Sequence, residues 1–484
     1  MDLKEVLHAI PVIQVEGSLE KDITSVVFDS RAVSEDSLFV AVRGVHTDGH
    51  LFLDKAISLK AAVLVVEELP ADLDEEITYV LVQDSAYALG IIAGNFYGNP
   101  SKDLKLVGVT GTNGKTTVTT LLFNLFDKLG YHVGLLSTVE NRIGDRIVPA
   151  THTTPDPVSL NKLLREMVED GCDYCFMEVS SHAVIQQRIA GLKFAGGLFS
   201  NITHDHLDFH GTFDNYIKAK KKFFDDLDGY AFALTNNDDK NGSIMLQNTF
   251  AHRKTYGLKS MADFKAKIVE SHFDGMLLQI DQHDVWVKLV GGFNAYNLLA
   301  VYGAAILLEQ ETLKVLTALS EITGAEGRFE VIRSNKGVVG VVDYAHTPDA
   351  VENVLETINQ LKVAGQQVIT VLGCGGDRDK TKRPEMAKVA LKYSDKLIIT
   401  SDNPRTEDPT AIIADMEVGV SVDKKKNTFS ITDRREAIRA ACHLASPGDI
   451  VLVAGKGHEK YQEINGVRHH FDDREELEKT FNEA

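Results

Sequence analysis

Leu104-Lys105-Leu106-Val107-Gly108-Val109-Thr110-Gly111-Thr112-Asn113-Gly114-Lys115-Thr116-Thr117 is the stretch that decides how this chain is read. Leu104–Thr110 is a short apolar run of strand type. After the glycines, Val118, Leu121, Leu122, Leu125, Phe126 and Leu129 recur at helical intervals, and Gly130 suits the residue after a helix end. Strand, glycine loop and helix in that order make a phosphate cradle. The glycines let several backbone N–H groups approach one anion, and the helix N-terminus adds the positive end of its dipole. Lys115 is placed to neutralise the β- and γ-phosphates, and Thr116 to offer its hydroxyl to Mg²⁺. The common phosphate-loop pattern would need glycine at 109, where Val109 stands, so TGTNGKTT is a shortened variant. Such a loop by itself does not separate a kinase, a motor, a GTPase and a ligase.

The rest of the chain narrows the choice. Its 484 residues predict two to four domains at about 100–200 residues each. Turn residues cluster at Tyr97–Ser101 and again near Gly324–Gly327, which divides the chain into 1–103, 104–328 and 329–484. With 44% hydrophobic and 25% charged residues, a mainly disordered chain is excluded. The net charge of −19 argues against general affinity for nucleic acid or an anionic membrane, although a few placed cations can still hold an anionic substrate. Four cysteines make a disulfide scaffold unlikely on sequence grounds. Cys172-x-x-Cys175 has no second pair and reads as part of a buried strand leading to Glu178. The N-terminus lacks a signal peptide's basic start, and no apolar run approaches the ~20 residues that span a bilayer. A soluble, cytoplasmic protein is expected.

Strand-like runs at Ile23–Phe28 and Ala61–Val66 mark the first segment. In the last, Val368–Leu372, Leu397–Thr400 and Ile450–Ala454 each lead into a polar loop containing glycine or proline. Apolar strands alternating with helical patterns predict a parallel sheet. Ligands bind beyond the carboxyl ends of such strands, so the three loops are expected to meet in one cleft.

Candidate metal ligands lie in the middle segment. Phe176–His182 reads as a strand ending in polar residues, and Glu178 stands where an acidic ligand of a phosphate-loop protein would sit. Asn201–Gly211 carries His204, Asp205, His206, Asp208 and His210. Mg²⁺ prefers oxygen donors, with room for one imidazole, whereas zinc spacing is missing. A polar loop with exposed imidazoles is the plainer alternative. By composition alone, Tyr216–Phe224 with its four lysines is a solvated basic helix face.

Taken together, these motifs resemble the Mur ligases, ATP-dependent amide-forming enzymes of peptidoglycan precursor synthesis. The resemblance covers essentially the whole chain: DSR (29–31), GVHTDGH (44–50), TGTNGKTT, HTTP (152–155), MEVSSH, NITHDHLDFHGT, GGFNAYN (291–297), GRFE, DYAHTPD (343–349), GGDRDKTKRP, DNPR and GKGHEKYQ. It implies an α/β protein of three domains: a UDP-binding α/β domain, a central phosphate-loop domain with a mostly parallel sheet, and a Rossmann-like C-terminal domain. It further implies joining of meso-2,6-diaminopimelate to the D-glutamate γ-carboxylate of UDP-N-acetylmuramoyl-L-Ala-D-Glu through an acyl phosphate. Mg²⁺ is the implied cofactor, ATP the co-substrate, and a monomer without nucleic-acid or membrane partners the implied state.

The resemblance assigns roles residue by residue. Gly111, Thr112, Asn113, Gly114, Lys115, Thr116 and Thr117 form the ATP phosphate loop, with Asn294, Asn297, Arg328 and Asp343 toward adenine and ribose. Thr116, Glu178 and His206 are implied metal ligands, joined by Lys220 as a CO₂-derived carbamate. Lys115, Glu178, His206 and Lys220 are the implied catalytic set. Ser30, Val45, His46, Thr47, His152, Thr153, Thr154, Ser180, Gln186 and Arg188 match the muramyl substrate's positions. His152 stands where the family often has asparagine, and His204 where arginine is common. Arg378, Asp402, Asn403, Pro404, Arg405, Gly455 and Glu459 match the diaminopimelate site, where arginine supplies a bidentate donor for the distal carboxylate. A lysine-adding ligase, a folylpolyglutamate synthase and a non-catalytic nucleotide-regulated binding protein are the competing readings.

Overall fold

The computed structural model describes residues 1–44, 47–150 and 152–483. Three sheets organise it. In the first, strands run in the order Val12–Glu16, Thr78–Val82, Val63–Val66, Ser37–Val40, Ser25–Val27, all parallel except the first pair. The expected strand 23–28 is shortened at both ends, with Phe28 turned outward.

In the second sheet Lys105–Thr110 lies between Gly196–Phe199 and Tyr174–Glu178. Neighbouring strands are parallel from Phe264–His272 across to Val133–Leu136, and antiparallel strands extend both ends. Successive strand residues point to opposite faces, and both faces are covered. Val107, Phe176 and Leu198 pack under helices Lys115–Lys128 and Gly292–Leu307. Leu106, Cys175 and Phe199 pack against Leu160, Leu164, Phe223 and Phe224 from helices Pro157–Glu169 and Phe213–Asp225. Double coverage explains why these strands read as unbroken apolar runs. Cys175 is a buried free thiol on such a strand, whereas Cys172, also buried and free, precedes the strand, which begins only at Tyr174, so the expected strand does not extend back to it. Phe123 is buried with the predicted face of the phosphate-loop helix, and the Arg142 guanidinium lies 4.6 Å from its ring centre.

The third sheet runs Glu330–Arg333, Val339–Asp343, Ile450–Ala454, Val368–Cys374, Lys396–Ser401, Thr428–Ser430, parallel after the first pair. The loops after Val368–Cys374, Lys396–Ser401 and Ile450–Ala454 therefore leave one edge together, as expected. A buried pair anchors that edge. Arg434 donates to both Asp473 carboxylate oxygens at 2.7 Å and to the Ala454 carbonyl at 3.0 Å. Among the described residues no helix is long and apolar enough to cross a membrane.

Candidate active site

Because three adjacent parallel strands end side by side, their carboxyl ends bring the phosphate loop, Glu178 and Ser200-Asn201 together. Gly111 and Gly114 have φ of +152° and +89°. A Cβ on Gly111 would lie 1.9 Å from Ser200 Oγ, and one on Gly114 2.7 Å from Asn297 Oδ1. The loop is braced by Thr112 N–H to the Asn201 carbonyl (2.8 Å), Asn113 N–H to Asn201 Oδ1 (3.0 Å) and Ser200 Oγ to the Asn113 carbonyl (2.6 Å). Lys115 Nζ donates to the carbonyls of Gly111 and Thr112, both at 3.0 Å, and burial lowers its pKa. The buried Thr117 sits in the first helical turn. We expect Gly114→Ala to cost about 1–3 kcal/mol, the scale for a non-glycine residue in the left-handed region. A lower thermal midpoint together with a raised KM for ATP would be the readout.

Glu178 is 1% exposed. Its Oε1 accepts from Thr116 Oγ1 and from the Thr138 N–H, both at 2.8 Å. Oε2 is buried with no hydrogen-bond partner among the described residues. Leaving such an oxygen unpaired costs about 1–3 kcal/mol or more, which a cation would offset. The donor chemistry fits a hard dication: carboxylate, hydroxyl and one imidazole. The His206 imidazole lines the cavity beside these groups, and its pKa falls to about 4; burial is the main cause, and the Lys115 and Lys220 charges add to it against Asp205. A neutral ring is the form that can ligate.

The lysine run divides sharply. Lys218, Lys221 and Lys222 pair with Asp214, Asp225 and Asp226, each at 2.6 Å and one helical turn away. Lys220 instead is 1% exposed, and its Nζ donates to the Gly111 carbonyl at 2.8 Å. Burial and the Lys115 charge hold its pKa well below the ordinary lysine value. The expectation of a solvated basic face therefore holds for Lys218 and Lys222, but Lys221, paired with Asp225, has only 11% of its side chain exposed, and Lys220 is buried outright. Helical spacing carried that signal: Tyr216, Lys220 and Phe223 fall on one face.

A cavity of about 890 Å³ opens beside Lys115, Glu178 and His206, while Lys220 lies behind its wall. Thr112–Thr116, Glu178 and His206 line one side, and Arg378, Asp402, Asn403, Arg405, Gly455 and Glu459 line the other. Pro404 turns the chain between Asn403 and Arg405. The two sides also touch directly through Asn113 Nδ2 to Asp349 Oδ2 at 2.8 Å. Arg328 reaches across, with Nη2 donating to Thr116 Oγ1 at 3.3 Å.

Other expected ATP contacts sit behind the wall. Asn297 Nδ2 donates to Asn294 Oδ1 at 3.0 Å, and Asn294 Nδ2 to the Val290 carbonyl at 2.8 Å. Asp343 accepts from the backbone N–H of Phe329 and Ala345, both at 2.7 Å, and burial raises its pKa to about 6. None of these three lines the cavity; these hydrogen bonds join them to backbone groups and, for the two asparagines, to each other.

His152 and Thr153 line the cavity. Just behind them Thr154 Oγ1 donates to the Glu178 carbonyl at 2.8 Å and accepts from the Ser180 N–H at 3.1 Å. Arg188 donates to the Thr154 carbonyl at 2.7 Å and to Gln186 Oε1 at 2.7 Å. Ser30 opens the short 3-10 helix Ser30–Ala32 and Thr47 lies in a loop of the first domain, both off the cavity wall, while Val45 and His46 lie outside the described residues. Sequence reasoning missed Lys456, which stands fully buried among Asp402, Asn403 and Glu459.

Comparison with known proteins agrees with this geometry along the whole chain. Residues 22–97 match the catalytic domain of the Mur ligase family, 109–305 the Mur ligase middle domain, and 327–457 the Mur ligase glutamate ligase domain. A curated Cytophaga hutchinsonii protein, named UDP-N-acetylmuramoyl-L-alanyl-D-glutamate--2,6-diaminopimelate ligase, is 58% identical over 475 residues, 98% of each chain. A Bacteroides thetaiotaomicron protein of the same name is 56% identical over 482 residues, 100% of each chain. A solved structure of a protein with that name is 32% identical and superposes with a TM-score of 0.70 over 100% of this chain and 99% of the other. Three family matches that together span most of the chain, and relatives 56–58% identical over nearly its full length, agree with a phosphate loop built on parallel strands: the chain belongs to the Mur ligase family.

Proposed function

We propose that this chain is an ATP-dependent ligase that joins meso-2,6-diaminopimelate to the D-glutamate γ-carboxylate of UDP-N-acetylmuramoyl-L-Ala-D-Glu in peptidoglycan precursor synthesis. The observation that carries the reading is the shared cavity, in which the phosphate loop and Glu178 face Arg405 and Glu459. The muramyl substrate is assigned to 1–103 with His152, Thr153 and the Thr154–Arg188 network. ATP and metal are assigned to 104–328, and the amino acid to 329–484. ATP and a UDP-linked substrate suit the cytoplasm, and one chain supplies every group, so a monomer suffices.

A carboxylate is a poor electrophile. Transfer of the γ-phosphoryl group forms a P–O bond to the carboxylate and breaks the bond to ADP. Attack by the amine then forms the C–N bond, and phosphate departs with the carboxyl oxygen as the amine loses a proton. Lys115 and Arg328 hold phosphoryl charge. Mg²⁺, when held by Glu178, His206 and Thr116, would offset repulsion between ATP and the carboxylate. Lys220 in its neutral form would attack CO₂; the N–C bond forms, a proton leaves to solvent, and an anionic oxygen donor replaces a neutral amine.

Phosphate release from ATP with the muramyl substrate tests this directly. We expect release to require meso-diaminopimelate, with kcat/KM for L-lysine at least about 100-fold lower, since Arg405 would be left unpaired. Equal use of lysine would indicate a lysine-adding ligase. Release without any amino acid would indicate a simple ATPase, and none at all a binding protein.

A further inference from the structure

Lys456 is 0% exposed and stands between two carboxylates. Its Nζ lies 3.5 Å from Asp402 Oδ1 and 3.4 Å from Glu459 Oε2, and donates to Asn403 Oδ1 at 3.0 Å. That same Oδ1 accepts from the Glu463 N–H at 2.9 Å, while Asn403 Nδ2 donates to Glu459 Oε2 at 2.6 Å. With two donors on its oxygen, the Asn403 amide has one orientation, which aims its N–H at Glu459.

We propose that Lys456 is the positioning residue of the amino-acid pocket: it holds Glu459 ionised beside Asp402 and locks Asn403, so that the distal ammonium of a diamino acid meets a ready anion. The proposal rests on the diaminopimelate reading above and extends it to a residue that needs no contact with substrate.

The charge balance around Glu459 supports it. Burial and the Asp402 carboxylate raise the Glu459 pKa above its ordinary value, and Lys456 and the Asn403 amide limit that rise. Burial also pushes Asp402 up, but Lys456, Arg434 and Arg405 hold it below the usual carboxylate range. Tyr344 and Tyr461 face the pair from the neighbouring loop and hairpin, and Arg434 from the helix behind. Without Lys456, two buried carboxylates would adjoin with one cation fewer beside them, which favours protonation of Glu459. A protonated acid makes no ion pair with the substrate ammonium.

Steady-state kinetics of the full chain with ATP, the muramyl substrate and meso-diaminopimelate test the proposal. Lys456→Met should raise the KM for the amino acid by about tenfold or more near neutral pH, with kcat and the KM for ATP changed by less than about twofold. That KM should fall again as pH rises and Glu459 ionises, and Lys456→Arg should restore the wild-type value. The double variant K456M/E459Q guards against a folding defect, since the neutral amide introduced by E459Q would need no counter-charge. In that background, loss of Lys456 should change KM by less than about twofold relative to E459Q. A wild-type KM in Lys456→Met overturns the proposal. So does a raised, pH-independent KM that arginine does not restore, or an equal fold-increase in the E459Q background. If the wild-type chain releases no phosphate in response to diaminopimelate, the functional reading itself fails and takes this proposal with it.

Discussion

Lys220→Ala should lower kcat by about 100-fold or more, the scale for losing one preorganised electrostatic group, and added bicarbonate should not restore it. The alanine also leaves a hole against Tyr216, whose ring lies 4.6 Å from the Lys220 ammonium. Lys220→Met separates chemistry from packing. Methionine fills nearly the same volume, and replacing a buried ionisable group by an apolar one is often neutral or stabilising. The Gly111 carbonyl keeps a partner, because Lys115 Nζ donates to it at 3.0 Å. We therefore expect Lys220→Met to melt no lower than the wild type and to be as inactive as the alanine variant. Full turnover in Lys220→Met would reject the carbamate assignment.

Arg405→Ala should weaken diaminopimelate use by about 2–5 kcal/mol, or roughly 30- to 5,000-fold in kcat/KM. Arg405 has φ of +51°, a conformation that costs a non-glycine residue about 1–3 kcal/mol. The hairpin Tyr461–Ile464/Val467–His470 holds it there: Arg405 N–H donates to the Glu463 carbonyl at 3.0 Å, and its own carbonyl accepts from the Asn465 N–H at 2.7 Å. Its Nη1 donates to the Gly376 carbonyl at 2.6 Å, which aims the guanidinium along the cavity wall. Alanine keeps the backbone anchors and removes the fork. Arg405→Lys should recover only part of the loss, because an ammonium cannot bind a carboxylate bidentately. The weak use of L-lysine, which has no distal carboxylate, should change little in either variant. Unchanged kcat/KM for diaminopimelate in Arg405→Ala would remove the basis for the amino-acid assignment. Arg378 is exposed and bonds only weakly to the Asp377 carbonyl at 3.4 Å, so its truncation should cost less.

Much of the fold was legible residue by residue. Apolar spacing marked the helix after the phosphate loop, and continuous apolar runs marked the parallel strands. Both follow from local rules: the period of a helix, and strands covered on two faces. The cleft was legible too, because parallel strands place their following loops on one edge. The site was legible where a motif forces a backbone conformation, as at Gly111 and Gly114. It was less so where a side chain's partners come from other parts of the fold. Asn294, Asn297 and Asp343 lie in matching motifs yet hydrogen-bond behind the cavity wall.

What the amino-acid order determined alone is the set of local conformations and the approximate order of elements along the chain. Only the tertiary structure decided which charges are buried and which are solvated. Lys220 and Lys222 are two positions apart, but one lies under the phosphate loop and the other pairs with Asp226 in solvent. Lys456, flanked by two glycines, reads as loop until Asp402, Asn403 and Glu459 close around it. The reason is physical: a group's protonation and contacts depend on the dielectric and charges around it, and those come from segments far apart in the chain.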